Sequence, residues 1–231
     1  MKTEVKRTFK NRLYEQFARL GKALSNGHRI ELLEVLAQGE HSVETLAQET
    51  GLPVANASQH LQVLRAAQLV EVRREGVYIY YRLADERVFR LWQTMREVGE
   101  AHLAEIDRLV QTYLQDRRHL EPISAVELLA RLAKDEVILL DVRPAPEYAA
   151  GHLPEAHSIP LAELETRLGE LSPTKEIVAY CRGPYCVFAD EAVALLRANG
   201  YQARRLEEGL PDWRALGFPI ERRIGGDNEN H

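Results

Sequence analysis

Two short, unbroken apolar runs constrain the second half of this chain more than any other feature: Val137-Ile138-Leu139-Leu140 and Ile177-Val178-Ala179-Tyr180. Runs of this length without polar alternation suit parallel strands whose sheet is covered on both faces. Helical segments are expected around them, near residues 124–133, 161–170 and 187–199, so helices and strands alternate from residue 124 onward. The pattern predicts an α/β domain, a parallel sheet flanked by helices, over residues 124–222.

The first half is patterned differently. Apolar residues recur at helical spacing over 8–24 (Phe9, Leu13, Phe17, Leu20, Leu24), and a second helix is expected over 28–36, with Ile30, Leu33 and Leu36 inward. Ser42 is placed to cap a third helix that stops at Gly51-Leu52-Pro53, and a fourth spans 54–67. The β-branched and aromatic segments 69–73 and 77–83 flank Arg74-Glu75-Gly76 and read as a hairpin. A continuous helix is expected over 85–116, about 45 Å long at the usual rise. Its apolar stripe (Val88, Leu91, Met95, Val98, Leu103, Ile106, Val110, Tyr113) is longer than so small a domain can cover, so a second subunit is expected on it. Domains are therefore expected at 1–116 (mainly α) and 124–222, with a linker at 117–123 and a polar, disordered tail at 223–231.

Composition bears on compartment and partners. No stretch of about 20 apolar residues is present, which predicts no membrane span, and the charged N-terminus lacks a signal-peptide core. A cytoplasmic protein is expected. The net charge of −5 is unevenly spread: residues 1–118 carry 18 basic and 16 acidic side chains, the remainder 12 and 19. A basic first half permits local nucleic-acid binding. Only Cys181 and Cys186 could form disulfides, and a reducing compartment favours reactive roles over a structural bridge.

Helix, turn, helix and basic hairpin make the layout of a winged helix-turn-helix, whose second helix enters the major groove of double-stranded DNA. Asn56, Ser58, Gln59 and His60 are placed to read base edges, and amides there can pair with adenine. Arg65, Arg73, Arg74 and Tyr78 could reach phosphates. The segment ASQHLQVLRAAQLVEVRREGVYIYYRL is similar to the recognition helix and wing of the ArsR/SmtB repressors, a resemblance covering about residues 9–116. It implies a homodimer joined through the first and last helices of that domain. The family's metal-sensing cysteines have no counterpart in residues 40–47. His102 and Glu105 lack an upstream Asp-x-His, and His28 and His41 read as surface or capping residues, so neither metal nor cofactor is expected.

Three ordered motifs of the second half resemble rhodanese domains. The first comprises Asp141-Val142-Arg143, Glu147-Tyr148, Gly151-His152-Leu153-Pro154 and Ile159-Pro160; the second is Cys181-Arg182-Gly183-Pro184-Tyr185-Cys186; the third is Glu208-Gly209-Leu210-Pro211-Asp212-Trp213 with Gly217-Phe218-Pro219. A loop between a strand end and a helix start aims N–H groups at the Cys181 sulfur and favours its anion. Arg182 adds positive charge. Cys181 would then take sulfane sulfur from thiosulfate, a persulfide or a polysulfide and pass it to a thiol acceptor. Phosphatase chemistry on a related fold needs Cys-x5-Arg, and the residue at that place is Val187. Asp141 and Arg143 read as structural, with Glu147 as a possible partner. Cys186 is either a small buried side chain at a helix start or a resolving thiol. Two functions follow: a repressor whose DNA affinity responds to sulfur on Cys181, or a sulfurtransferase whose winged-helix half only localises or dimerises it.

Overall fold

A computed structural model describes residues 2–114 and 122–222. The tail at 223–231 and most of the linker expected at 117–123 lie outside the described residues. The chain divides into two compact units, Met1–Trp92 and Gln93–His231.

The first unit holds α1 (Lys2–Leu24), α2 (Gly27–Leu36), β1 (His41–Ser42), α3 (Val43–Glu49), α4 (Val54–Ala66), β2 (Val70–Glu75) and β3 (Tyr78–Leu83). Helix α2 starts where the Asn26 side chain accepts the Arg29 N–H, and α3 where Ser42 accepts the Thr45 N–H; both satisfy orphan donors of a first turn. The core gathers Leu32, Leu33, Leu36, Leu46, Leu61, Leu64, Val70 and Tyr81. Ile30, expected inside, is only half-buried, while Leu32 is fully buried. The hairpin strands pair out to Glu75 and Tyr78, so the turn is Gly76-Val77, later than expected. Gly76 sits at φ +58°, the left-handed conformation that a two-residue hairpin turn requires. The unforeseen β1 pairs with β3 and makes a three-stranded sheet, β1-β3-β2.

The single helix expected over 85–116 is two helices, α5 (Glu86–His102) and α6 (Ala104–Tyr113). Leu103 leaves the helical region at φ −108°, ψ 91°. The chain then turns back over Gly99, where an added Cβ would stand 3.0 Å from Ile106 Cδ1. A residue without a side chain at that position allows the close approach. Helix α5 crosses the boundary between the units: Val88 belongs to the core of the first, and residues from Gln93 onward to the second.

The rest of the second unit comprises α7 (Ala125–Leu132), β4 (Val137–Asp141), α8 (Ala145–Ala150), β5 (His157–Ser158), α9 (Leu161–Arg167), a 3-10 turn (Leu168–Glu170), β6 (Glu176–Tyr180), α10 (Phe188–Ala198), β7 (Ala203–Arg205) and α11 (Leu210–Ala215). The strands form a parallel sheet, β5-β4-β6-β7. Successive side chains of β4 and β6 alternate between two cores. Leu140, Ile177 and Ala179 pack with Ala192, Val193 and Leu196 of α10. Leu139, Val178 and Tyr180 pack with Leu128 and Trp213. The two apolar runs are thus the central strands, buried on both faces. Sequence reading did not foresee β5, β7, α8 or α11, all of six residues or fewer, too short to show a period. No helix among the described residues is long and apolar enough to cross a membrane.

Candidate functional site

The carboxyl ends of β4 and β6 are tied together beneath the candidate loop. Asp141 and Arg143 are fully buried and pair directly, Nη2 to Oδ2 at 2.6 Å and Nε to Oδ1 at 3.0 Å. Arg143 Nη2 also donates to the Gly151 carbonyl at 2.8 Å. The Tyr180 hydroxyl donates to Asp141 Oδ2 at 2.5 Å and accepts from the Leu153 N–H at 3.1 Å. Burial opposes the charge on Arg143, but the Asp141 carboxylate outweighs it and holds the guanidinium above its ordinary range. Burial, then the Asp141 charge, keeps the Tyr180 hydroxyl protonated. Asp141 and Arg143 thus bond each other, and Glu147, read from the sequence as their possible partner, adds its charge to the Arg143 environment. Glu147 accepts Arg182 Nε at 3.0 and 3.1 Å, a two-oxygen grip on a nearly buried guanidinium. Arg182 therefore anchors the loop to α8, and its guanidinium also lies 5.4 Å from the Phe188 ring centroid.

The loop runs from Cys181, at the end of β6, to Val187, which precedes α10. Cys181 is buried and Cys186 half-buried, and neither is in a disulfide. The Cys186 N–H donates to the Gly183 carbonyl at 3.2 Å, closing a turn that brings residue 186 back over residue 181. The Cys181 thiol lies 3.6 Å from the Cys186 carbonyl oxygen and 3.9 Å from that of Gly183. Gly209 lies against the other side of the loop: a Cβ there would fall 2.2 Å from the Arg182 carbonyl oxygen. Only glycine lets the loop and the start of α11 approach so closely.

The electrostatics differ from expectation. Cys181 was expected to be the favoured thiolate. Burial, then its hydrogen-bonded partner Cys186, pushes the Cys181 thiol well above the ordinary range, although the Ala189 and Gly183 N–H groups oppose this. Cys186 is pulled down to about 7, first by the hydrogen bond from Cys181, then by the Arg182 and Phe188 N–H groups and the Arg182 charge. Two thiols in one loop share a proton, and the first ionisation belongs to the pair. Because the thiolate is the reactive form, alkylation of the loop by iodoacetamide is expected to accelerate as pH rises through about 7. In Cys186→Ser the remaining thiol is the buried Cys181, so the rise moves to higher pH. Mass-resolved alkylation rates measure both, and a pH-independent wild-type rate from 6 to 9 would show that no shared ionisation exists.

Two further side chains bear on the loop within the second unit, and sequence reading missed them. The Tyr185 hydroxyl donates to a Glu100 carboxylate oxygen on α5. Arg96, one turn earlier on α5, donates to Asp212 Oδ1 at 2.6 Å, with both side chains largely buried. Asp212 Oδ2 in turn accepts the Gly209 N–H at 3.3 Å. The i,i+4 spacing of Arg96 and Glu100 was visible in sequence; what they face was not.

In the first unit, Asn56 and Gln59 are exposed on α4, with Ser58 and His60 half-exposed beside them. The His60 ring lies 5.6 Å from that of His28, and partial burial, then Arg29 and His28, keeps it below the usual histidine range. Arg65, Arg74 and Tyr78 are exposed. Arg73 is exposed too, but bridges Glu40 and Glu75, both at 2.6 Å, and lies over the Tyr80 ring.

A helix-turn-helix with a β-wing, followed by a parallel sheet whose central strand ends in a cysteine loop, defines a winged-helix unit joined to a rhodanese-like domain. Family models agree: residues 24–73 match a helix-turn-helix domain and residues 124–216 a rhodanese-like domain. The chain is 46% identical over 209 residues, 90% of its length and 92% of the relative's, to the HTH-type transcriptional regulator Rv0324 of Mycobacterium tuberculosis. It belongs to the ArsR/SmtB-type helix-turn-helix transcriptional regulators that carry a C-terminal rhodanese domain. Over 100 residues, 42% of this chain and 92% of the relative, it is also 33% identical to a sulfurtransferase of Allochromatium vinosum. Among solved structures, a homodimeric winged helix-turn-helix DNA-binding domain, Mb0332 of Mycobacterium bovis, is 49% identical, covering 41% of this chain and 87% of its own (TM-score 0.39).

Proposed function

We propose that this regulator binds operator DNA as a homodimer and that sulfane sulfur, carried as a persulfide on Cys181, changes its DNA affinity. The Cys181 sulfur attacks the sulfane sulfur of a small donor. The donor's leaving group, sulfite in the case of thiosulfate, departs with the bonding electrons. The new terminal sulfur stays within the loop N–H groups until a thiol acceptor removes it. Asn56, Ser58, Gln59 and neutral His60 are proposed to read base edges. Arg65, Arg74 and Tyr78 are proposed to hold phosphates. Arg73 can join them, since exposed ion pairs such as its own contribute little and yield to a phosphate. The exposed apolar face of α1, with Val5, Phe9, Leu13 and Phe17 on it, is the proposed seat of a second copy.

The observation that carries the coupling is the position of α5. One end contributes Val88 to the winged-helix core; the other bonds Tyr185 of the cysteine loop through Glu100, and Asp212 beside that loop through Arg96. An added sulfur atom enlarges the contents of a closely packed loop. Displacing Tyr185 or the Gly209–Asp212 turn then acts on α5. A coupling of about 1–3 kcal/mol corresponds to roughly 5- to 150-fold in affinity.

The test is DNA binding to the protein's own promoter region at fixed salt, with reduced and polysulfide-treated protein. Wild-type affinity should change at least about fivefold, with no change in Cys181→Ser and a smaller one in Tyr185→Phe. Tight binding indifferent to polysulfide, together with thiosulfate turnover, would instead make the protein a sulfurtransferase whose winged-helix half only localises or dimerises it.

A further inference from the structure

We propose that Cys186 is a second working thiol of the loop: it discharges the Cys181 persulfide, displacing hydrosulfide and closing a Cys181–Cys186 disulfide. The proposal rests on the reading of Cys181 as sulfur carrier and specifies what becomes of the sulfur. Geometry carries it. The turn closed by the Cys186 N–H and the Gly183 carbonyl, 3.2 Å apart, folds the end of the loop over its beginning. The Cys186 carbonyl lies 3.6 Å from the Cys181 sulfur. The turn therefore holds the two cysteines side by side in one loop, and a rotation of the Cys186 side chain is the motion the bridge asks for. Both cysteines pack against one side of the sheet, among Val142, Ala189 and Phe188.

The chemistry closes in two steps. In the first, Cys181 bonds the sulfane sulfur of the donor while its proton passes to the neighbouring Cys186 thiolate. The lowered acidity range of Cys186, about 7, makes it the natural acceptor of that proton near neutrality. In the second, Cys186 loses this proton to solvent and its thiolate attacks the Cys181 sulfur. The persulfide S–S bond breaks, and hydrosulfide leaves with the electron pair. With thiosulfate as donor, two thiols and one thiosulfate give one disulfide, one sulfite, one hydrosulfide and one proton. The donor's sulfane sulfur is reduced to sulfide and the two cysteines are oxidised, so no further oxidant is needed. A low-molecular-weight dithiol resets the loop.

This chemistry makes the loop a sulfane-sulfur detector with a durable product. A persulfide is lost to any passing thiol, whereas a disulfide within a packed loop persists until it is reduced. Closing the bridge also draws residue 186 toward residue 181 and moves Tyr185, the neighbour bonded to Glu100.

The full-length protein, reduced and freed of reductant, is treated anaerobically with equimolar thiosulfate. Intact mass, released hydrosulfide and peptide mapping are followed for wild type, Cys186→Ser, Cys186→Ala and Cys181→Ser. The wild type should end two hydrogens lighter, with one hydrosulfide released per chain and a mapped Cys181–Cys186 bridge. Both Cys186 variants should stop one sulfur atom heavier and release no hydrosulfide, and Cys181→Ser should stay unchanged. A wild type that remains one sulfur heavier, without bridge or hydrosulfide, overturns the proposal whatever the variants do. If no variant and no wild-type chain gains or loses mass, Cys181 is not a sulfur carrier, and the parent reading falls with it.

Discussion

With Cys181 replaced by serine, the chain should take up sulfur from thiosulfate at least about a thousandfold more slowly than the wild type, the order of loss seen when a covalent nucleophile is removed. A hydroxyl in the same place is a far weaker nucleophile, and an oxygen–sulfur bond cannot hold the transferred atom. Cys181 stands at the end of the central strand, where the N–H groups of Gly183 and Ala189 face its sulfur. Cys186 is set to the side, with its N–H partners from Arg182 and Phe188. Sulfite release in a single-turnover assay measures the rate. If Cys181→Ser stays within tenfold of the wild type while Cys186→Ser loses the reaction, the carrier is Cys186 and the roles of the two thiols are exchanged.

The second large effect is on stability. Asp141→Ala should destabilise the rhodanese-like domain by about 3–5 kcal/mol, because it leaves the fully buried Arg143 without its counter-charge. It also removes the acceptor of the Tyr180 hydroxyl. For a domain of roughly 100 residues this lowers Tm by ten degrees or more. Tyr180→Phe deletes only the hydroxyl between Asp141 and the Leu153 N–H and should cost about 1–3 kcal/mol. Calorimetry on the full chain reads both. An unchanged Tm for Asp141→Ala would mean that water or an anion reaches Arg143 in the folded protein, contrary to its complete burial.

The site was legible in sequence where chemistry and chain position coincide. The cysteine loop lies between an apolar strand and a helix start, and both elements could be read from the residues around it. Asp141 and Arg143 read as structural, with Glu147 as their possible partner. In the fold they bond each other, and Glu147 grips Arg182, which follows 35 residues later. The break at Leu103 was hidden for a related reason. The apolar spacing continues through it, and only the packing of Ile106 over Gly99 reveals the turn.

The sequence by itself determined the two fold classes, the winged-helix order of elements, both central strands and the identity of the candidate nucleophile. Each is a matter of local periodicity or of short ordered motifs, encoded within a few residues of one another. The tertiary structure alone made the two thiols a pair with one shared ionisation, because the Arg182 and Phe188 N–H groups and the Arg182 charge draw Cys186 down while burial pushes Cys181 up. It alone brought Glu100 to Tyr185 and Arg96 to Asp212, pairs separated by 85 and 116 residues. Such contacts depend on where whole elements pack, and the free energy of packing is set by surfaces that meet only once the chain has folded.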